Sequence, residues 1–226
     1  MKKIIRIVVL CLVGGLIIVA IASSSATKPT TAEQVWDERA TVGSLEAKNY
    51  YIMYTDIMCP YCDVFTREAI ENEEAFNKFV EDNNVLFEVR VTDMLYDSVG
   101  SEYSRESAVA TYCAKNKDKF FEYYHAAVMQ LYEDYHSKGI GDSKTSPQIK
   151  DLPENYWVEI GKNIGLGEGF ENCYKNSETL DEVIKNTTKA EKFASGLPYF
   201  DLNGEGVAGY DASWGWETLM KAGLKK

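Results

Sequence analysis

The chain has 226 residues, enough for one good-sized domain or a smaller one carrying an insertion. Its 45% hydrophobic and 26% charged residues exclude a disordered or fibrous polymer. A formal charge of −11 argues against non-specific binding to nucleic acid or to anionic lipid.

The chain opens on Lys2, Lys3 and Arg6, followed by sixteen uncharged, largely apolar residues at 7–22 and then Ser23, Ser24, Ser25 and Ala26. The run is slightly longer than a signal-peptide core of about 15 residues and shorter than the roughly 20 of a spanning helix. Residues 1–26 are therefore read as an uncleaved N-terminal signal-anchor in the membrane. A signal peptide cut near Ser24-Ser25-Ala26 is the alternative. In either case the positive-inside bias places the residues after Ala26 outside the cytoplasm. Cys11, inside the run after Leu10, reads as membrane filler.

Residues 27–42 are polar and read as a linker with some helix. Residues 50–55 (Tyr-Tyr-Ile-Met-Tyr-Thr) are apolar on both faces, as in a central buried strand. From Pro60 the period changes. Cys62, Phe65, Thr66, Ala69 and Ile70 fall on one helical face, and Pro60 suits a first helical turn. Cys59 thus lies at or just before a helix N-terminus. Phe76, Phe79 and Val80 carry helical character towards Asn83 and Asn84. Residues 85–91 alternate as a strand does, and strand–helix–strand order predicts a parallel unit.

Residues 104–114, 119–135, 156–164 and 178–193 have helical character. Gly139, Gly141, Ser143, Ser146, Pro147 and Pro153 mark 137–153 as a loop. The aromatic cluster Phe120, Phe121, Tyr123, Tyr124, Tyr132 and Tyr135 reads as helix packing. Residues 197–202 form a short apolar strand, Asn203-Gly204 signals a hairpin, and Val207, Ala208 and Gly209 begin the return strand. Residues 214–219 read as a closing helix packed by Trp214 and Trp216. The simplest architecture is α/β, with a first half at 43–100 and a second at 187–226, separated by an all-helical insertion at 101–186. Asn186-Thr187-Thr188 matches an N-glycosylation pattern, which is common by chance in a chain otherwise bacterial in character.

Four cysteines lie beyond the export signal: Cys59, Cys62, Cys113 and Cys173. Disulfides persist outside the cytoplasm, and an even count fits either disulfides or a metal site. In Cys59-Pro60-Tyr61-Cys62, the first sulfur faces unpaired N–H groups and the positive end of the helix dipole, which favour thiolate over thiol. The second sulfur sits about one turn on and can close a small ring with it. Cys59 is the expected nucleophile and Cys62 the resolving partner. A structural zinc site usually needs four Cys or His ligands, often with a second close pair. Cys113 and Cys173 are not spaced that way, and His125 and His136, eleven apart, do not resemble a ligand pair. No metal and no cofactor is expected. A static disulfide is the bland alternative to redox chemistry.

Residues 55–62, Thr-Asp-Ile-Met-Cys-Pro-Tyr-Cys, resemble the Asp-x-x-Cys-Pro-x-Cys block of DsbA-like thiol–disulfide oxidoreductases of the thioredoxin superfamily. Residues 196–204, Gly-Leu-Pro-Tyr-Phe-Asp-Leu-Asn-Gly, with Val207 and Gly209, resemble that family's second block. Similarity runs over residues 42–219. The resemblance implies a thioredoxin-like fold with an inserted all-helical subdomain. It implies a cis bond before Pro198 and a substrate contact at the Leu197 backbone. It also implies that Asp56 hydrogen-bonds the turn before the helix, and that Cys113 and Cys173 form a second disulfide.

One departure stands out. Where many members carry a buried carboxylate that serves the second thiol, this chain has Met53. The dipeptide Pro60-Tyr61 also occurs in reducing relatives and leaves the direction of electron flow open. The function implied is extracytoplasmic oxidation of cysteines in exported proteins with free thiols, with a quinone-linked membrane partner to re-oxidise the pair. A reductase or isomerase of the same fold, and a Cu(I)-handling module using the thiolates, are the alternatives.

Overall fold

The computed structural model describes residues 37–99 and 102–224. The signal-anchor expectation and most of the linker fall outside the described residues. Among the described residues no helix is long and apolar enough to cross a membrane.

In chain order the elements are β1 (Thr41–Gly43), β2 (Asn49–Thr55), α1 (Pro60–Glu71), α2 (Glu73–Asp82), β3 (Val85–Val91), α3 (Met94–Val99), α4 (Glu102–Lys115), α5 (Phe120–Asp134), α6 (Tyr156–Asn163), α7 (Glu168–Lys175), α8 (Leu180–Ala190), β4 (Tyr199–Leu202), β5 (Glu205–Ala208) and α9 (Trp216–Ala222). The strand order is β1-β3-β2-β4-β5. Among these strands β2 and β3 run parallel, and the other neighbours pair antiparallel. This is a thioredoxin-like α/β fold, with helices α3 to α8 inserted between β3 and β4.

Strand β2 is buried on both faces. Tyr51 and Met53 join the main core with Phe65, Phe76, Phe87 and Phe200. Tyr50, Ile52 and Tyr54 face a smaller core closed by Ala190 of α8. On that second face the polar positions of the β3 alternation, Glu88 and Arg90, are buried rather than solvated. Arg90 Nε donates to Glu88 Oε1 at 2.7 Å and Nη1 to the Tyr54 hydroxyl at 2.8 Å, so neither charge is left bare under α8.

Several expectations need correction. The last residues of the expected linker form edge strand β1, paired with residues 86–88 of β3. The helix read from Pro60 to Asn83 is two helices. At Asn72 the side chain donates to Glu68 O at 2.8 Å, and the backbone leaves helical geometry at φ −118° and ψ 30°. Helices α3 and α7 lie in stretches to which the sequence reading assigns no element. Trp216 is buried against Phe76 and Phe79, whereas Trp214 is 48% exposed and does not pack the final helix. Asn186 is buried, its amide bonded to the Tyr112 hydroxyl, which leaves no room for a glycan. The hairpin turn has Asn203 at φ 59° and Gly204 at φ 92°, the paired positive values that Asn-Gly supplies in a type I′ turn.

Candidate active site: a dithiol at a helix start

Cys59 is the N-cap of α1, with extended backbone, and Pro60 occupies the first helical position. Its carbonyl accepts from Cys62 N at 3.0 Å and Asp63 N at 3.2 Å, so the first turn closes around the sulfur pair. Both cysteines are free thiols in this structure. The Leu197–Pro198 peptide is cis. Cys59 Sγ lies 3.8 Å from Leu197 O, within reach of a thiol hydrogen bond.

Cys59 opens on a cleft of about 1080 Å³, lined also by Pro60, Tyr61, Leu95, Tyr103, Ile149 and Leu197. Both sulfurs belong to buried residues, Cys59 at 5% and Cys62 at 2% exposure, but only Cys59 is part of that lining. Tyr61, at 45% exposure, stands at the mouth. The two blocks read from the sequence therefore meet at one sulfur. The far wall is different: it comes from α3, the start of α4 and residues 141–150, which the sequence marks only as a loop.

Burial pushes the Cys62 thiol up, and the neighbouring Cys59 adds to this. The backbone N–H of Asp56 and the hydroxyl of Thr55 act the other way by favouring the thiolate. Next along α1, Asp63 Oδ2 is 2.6 Å from Nδ1 of His136, both side chains buried. Asp63 Oδ1 also pairs with Arg67 Nε at 3.3 Å. The His136 contact pins the start of the long loop to the cysteine helix. From the sequence, His136 is read only against a metal-ligand pair with His125; the structure makes it the partner of Asp63. Among the described residues no group of three His, Cys, Asp or Glu could hold a metal ion.

Asp56 does not line the cleft. Its Oδ1 accepts from Met58 N at 2.9 Å, and its Oδ2 from Leu95 N at 3.0 Å and Ser104 Oγ at 2.6 Å. One carboxyl thus ties the turn before Cys59 to α3 and α4. Burial pushes it up from 3.8 to about 6, against those three donors. Between about pH 4 and pH 6 the folded state holds a proton that the unfolded chain has released. Stability from this group is therefore full below pH 4 and falls as pH rises through 6, by about 3 kcal/mol in all. Asp56→Asn sets an amide NH2 against the backbone N–H of Met58 or Leu95 and does not titrate, so it is expected to be weaker than the parent near pH 4 and to gain on it by about 3 kcal/mol between pH 4 and pH 7. Urea unfolding at the two pH values measures this. A gap between variant and parent that stays the same at the two pH values would mean that Asp56 titrates alike in the folded and unfolded states.

The family model described as thioredoxin matches residues 36–221. Among solved structures, the chain is similar to BdbD from Bacillus subtilis in its oxidised form, at 16% identity and TM-score 0.61 over 83% of this chain and 93% of that one. It is similar to the thiol-disulfide exchange protein alpha-DsbA2 from Wolbachia pipientis, at 16% identity and TM-score 0.58 over 89% and 98%. It is also similar to a thioredoxin-like oxidoreductase from Silicibacter pomeroyi, at 19% identity and TM-score 0.57 over 84% and 95%. At these identities the likeness is one of fold. No curated protein matches the chain.

Proposed function

The chain belongs to the thioredoxin family, and from that premise we propose that it is an extracytoplasmic thiol–disulfide oxidoreductase that oxidises the cysteines of exported proteins. The observation that carries the reading is the meeting of Cys59 Sγ, at the cap of α1, with the Leu197 carbonyl beside cis Pro198, open to a cleft while Cys62 lies behind.

Starting from a Cys59–Cys62 disulfide, a substrate thiolate attacks the accessible Cys59 sulfur. The S–S bonding pair leaves on Cys62, and a mixed disulfide forms. A second substrate thiolate then attacks the substrate sulfur of that bond, and the pair leaves on Cys59. Two electrons pass from substrate to protein, and the substrate gains one disulfide. Pro60 fixes the first turn, Tyr61 flanks the mouth, Asp56 holds the approach to Cys59, and Leu197 offers its backbone to the incoming chain. Returning the dithiol to the disulfide needs a two-electron acceptor, for which a quinone-linked membrane partner is the class the reading implies.

Two features support a site outside the cytoplasm. One is the basic then apolar start of the sequence. The other is the disulfide between Cys113 and Cys173, a bond that reducing compartments do not keep. The N-terminal anchor belongs to the same proposal.

Equilibration with glutathione buffers tests the direction. The expected potential of the pair is near about −120 mV, where strong oxidants lie. A value near about −270 mV would make the protein a reductase and sink the oxidase reading.

A further inference from the structure

Residues 148–152 supply part of the far wall of the cleft, and no sheet holds them. Gln148, Ile149 and Lys150 line the cleft. Over this stretch the chain forms no helix or strand. Among the described residues, none of its backbone groups bonds to another backbone group. Two tyrosines take the place of a neighbouring strand. From α4, the Tyr103 hydroxyl donates to Lys150 O at 2.9 Å and accepts from Leu152 N at 3.2 Å. A carbonyl and an N–H two residues apart face the same side of an extended chain, so one hydroxyl meets both. Just past α5, the Tyr135 hydroxyl donates to Asp151 O at 3.4 Å.

The residues before this stretch are tied to themselves. Gly139 and Gly141, at φ 73° and 68°, take left-handed conformations that glycine reaches without strain. Gly141 N donates to Pro147 O at 2.7 Å, Ser143 N to Ser146 Oγ at 3.1 Å, and Ser146 N to Ser143 Oγ at 3.2 Å. Residues 141–147 are thus a self-bonded loop, rooted on α1 through His136 and Asp63. Beyond it, the strap at 148–152 is fixed to the body of the protein by the tyrosine hydroxyls, with Ile149 and Leu152 resting on the main core.

We propose that the Tyr103 hydroxyl is the clasp that sets this wall, and that through Ile149 it selects polypeptide clients over small thiols. This rests on the exchange reading above and deepens it. Tyr103 is here a positioning residue. A small dithiol needs only the Cys59 sulfur, whereas a polypeptide has side chains on both sides of its cysteine to place in the cleft. Removing the hydroxyl takes away two neutral hydrogen bonds, which together bias the strap towards its place by roughly tenfold or more. A strap in place only about a tenth of the time weakens a client that needs the wall by the same factor. The Tyr103 ring packs on the core, and phenylalanine keeps that packing.

The test mixes excess protein, with Cys59 and Cys62 joined as a disulfide, with reduced unfolded ribonuclease or with dithiothreitol, over a range of protein concentrations. In each case the partner's dithiol becomes a disulfide, and its two electrons and two protons pass to the Cys59–Cys62 pair. Tyr103→Phe is expected to lower the ratio of the two rate constants, ribonuclease over dithiothreitol, about tenfold. The loss should come from a higher half-saturating concentration rather than a lower limiting rate. Ile149→Ala is expected to lower the same ratio. Because the hydroxyl acts through Ile149, the double variant should be no worse than the worse single one. Trypsin cleavage after Lys150 in the folded protein is expected to quicken about tenfold in Tyr103→Phe. The proposal is overturned by a Tyr103→Phe ratio within about twofold of the parent, by losses that multiply in the double variant, or by cleavage at the parent's rate. A parent that oxidises neither partner would sink the exchange reading itself. One that oxidises dithiothreitol alone would sink the oxidation of protein clients. Both failures show in the parent, before any variant is compared.

Discussion

Cys59→Ser is expected to lower disulfide exchange with a reduced unfolded protein by about a thousandfold or more, to the level of the buffer alone. Cys62→Ser cannot form the Cys59–Cys62 disulfide, so it is expected to lose oxidation of that reduced protein as well, while its Cys59 still attacks a disulfide-bonded protein and stalls as the mixed disulfide. The contrast follows from position. Cys59 lines the cleft and caps α1, so it is the sulfur a substrate can reach. Cys62 sits behind it, outside the lining, and can only close or open the ring from inside. A hydroxyl at position 59 forms no sulfur bond and ends the chemistry. A hydroxyl at position 62 removes the oxidising disulfide, and it also removes the internal thiol that would expel a chain captured when Cys59 attacks a disulfide. In cells, Cys62→Ser should therefore accumulate mixed disulfides, visible on non-reducing gels and released by dithiothreitol. Their identification by mass spectrometry names the clients. Exported proteins with paired cysteines are the expected catch. Capture through position 62 in a Cys59→Ser chain would reverse the two roles.

The dithiol site was legible in the sequence because its signals are local. The change of period at Pro60 placed Cys59 at a helix start, and Asn203-Gly204 marked the hairpin of β4 and β5. The same local reading could not see the far wall of the cleft. Leu95, Tyr103 and Ile149 reach it only because the insertion folds back on the first block, and nothing in their own neighbourhoods marks them. Tyr124 carried the pattern of a packing residue, and it does pack. Its hydroxyl meets Thr55 and Thr66 because α5 lies on α1. The α1–α2 break was hidden for the opposite reason. A single side chain at Asn72 overrides an apolar pattern that continues past it.

Replacing both Cys113 and Cys173 with alanine is expected to cost about 4 kcal/mol of stability, a large share of the roughly 5–15 kcal/mol of a typical domain. The bond joins α4 to α7 across a sequence separation of 60 residues, with Cα atoms 5.8 Å apart. In the chain-entropy picture its effect lies in the unfolded state, which loses the freedom of a loop of that length. Both side chains are buried, and alanine leaves no unpartnered polar group there. Urea unfolding of the parent and the double variant measures the difference. Reduction of the parent under conditions that keep it folded should reproduce most of it.

The consequence reaches the site through two residues. Ser104 of α4 holds the Asp56 carboxylate, and the Tyr124 hydroxyl of α5 holds Thr66, which bonds the Cys62 carbonyl. Hydrogen exchange in the double variant should therefore quicken first in α4 and α7, and then at the turn before Cys59. A variant within about 1 kcal/mol of the parent would show that helix packing alone holds the insertion, and that its grip on the cysteine turn owes nothing to the bond.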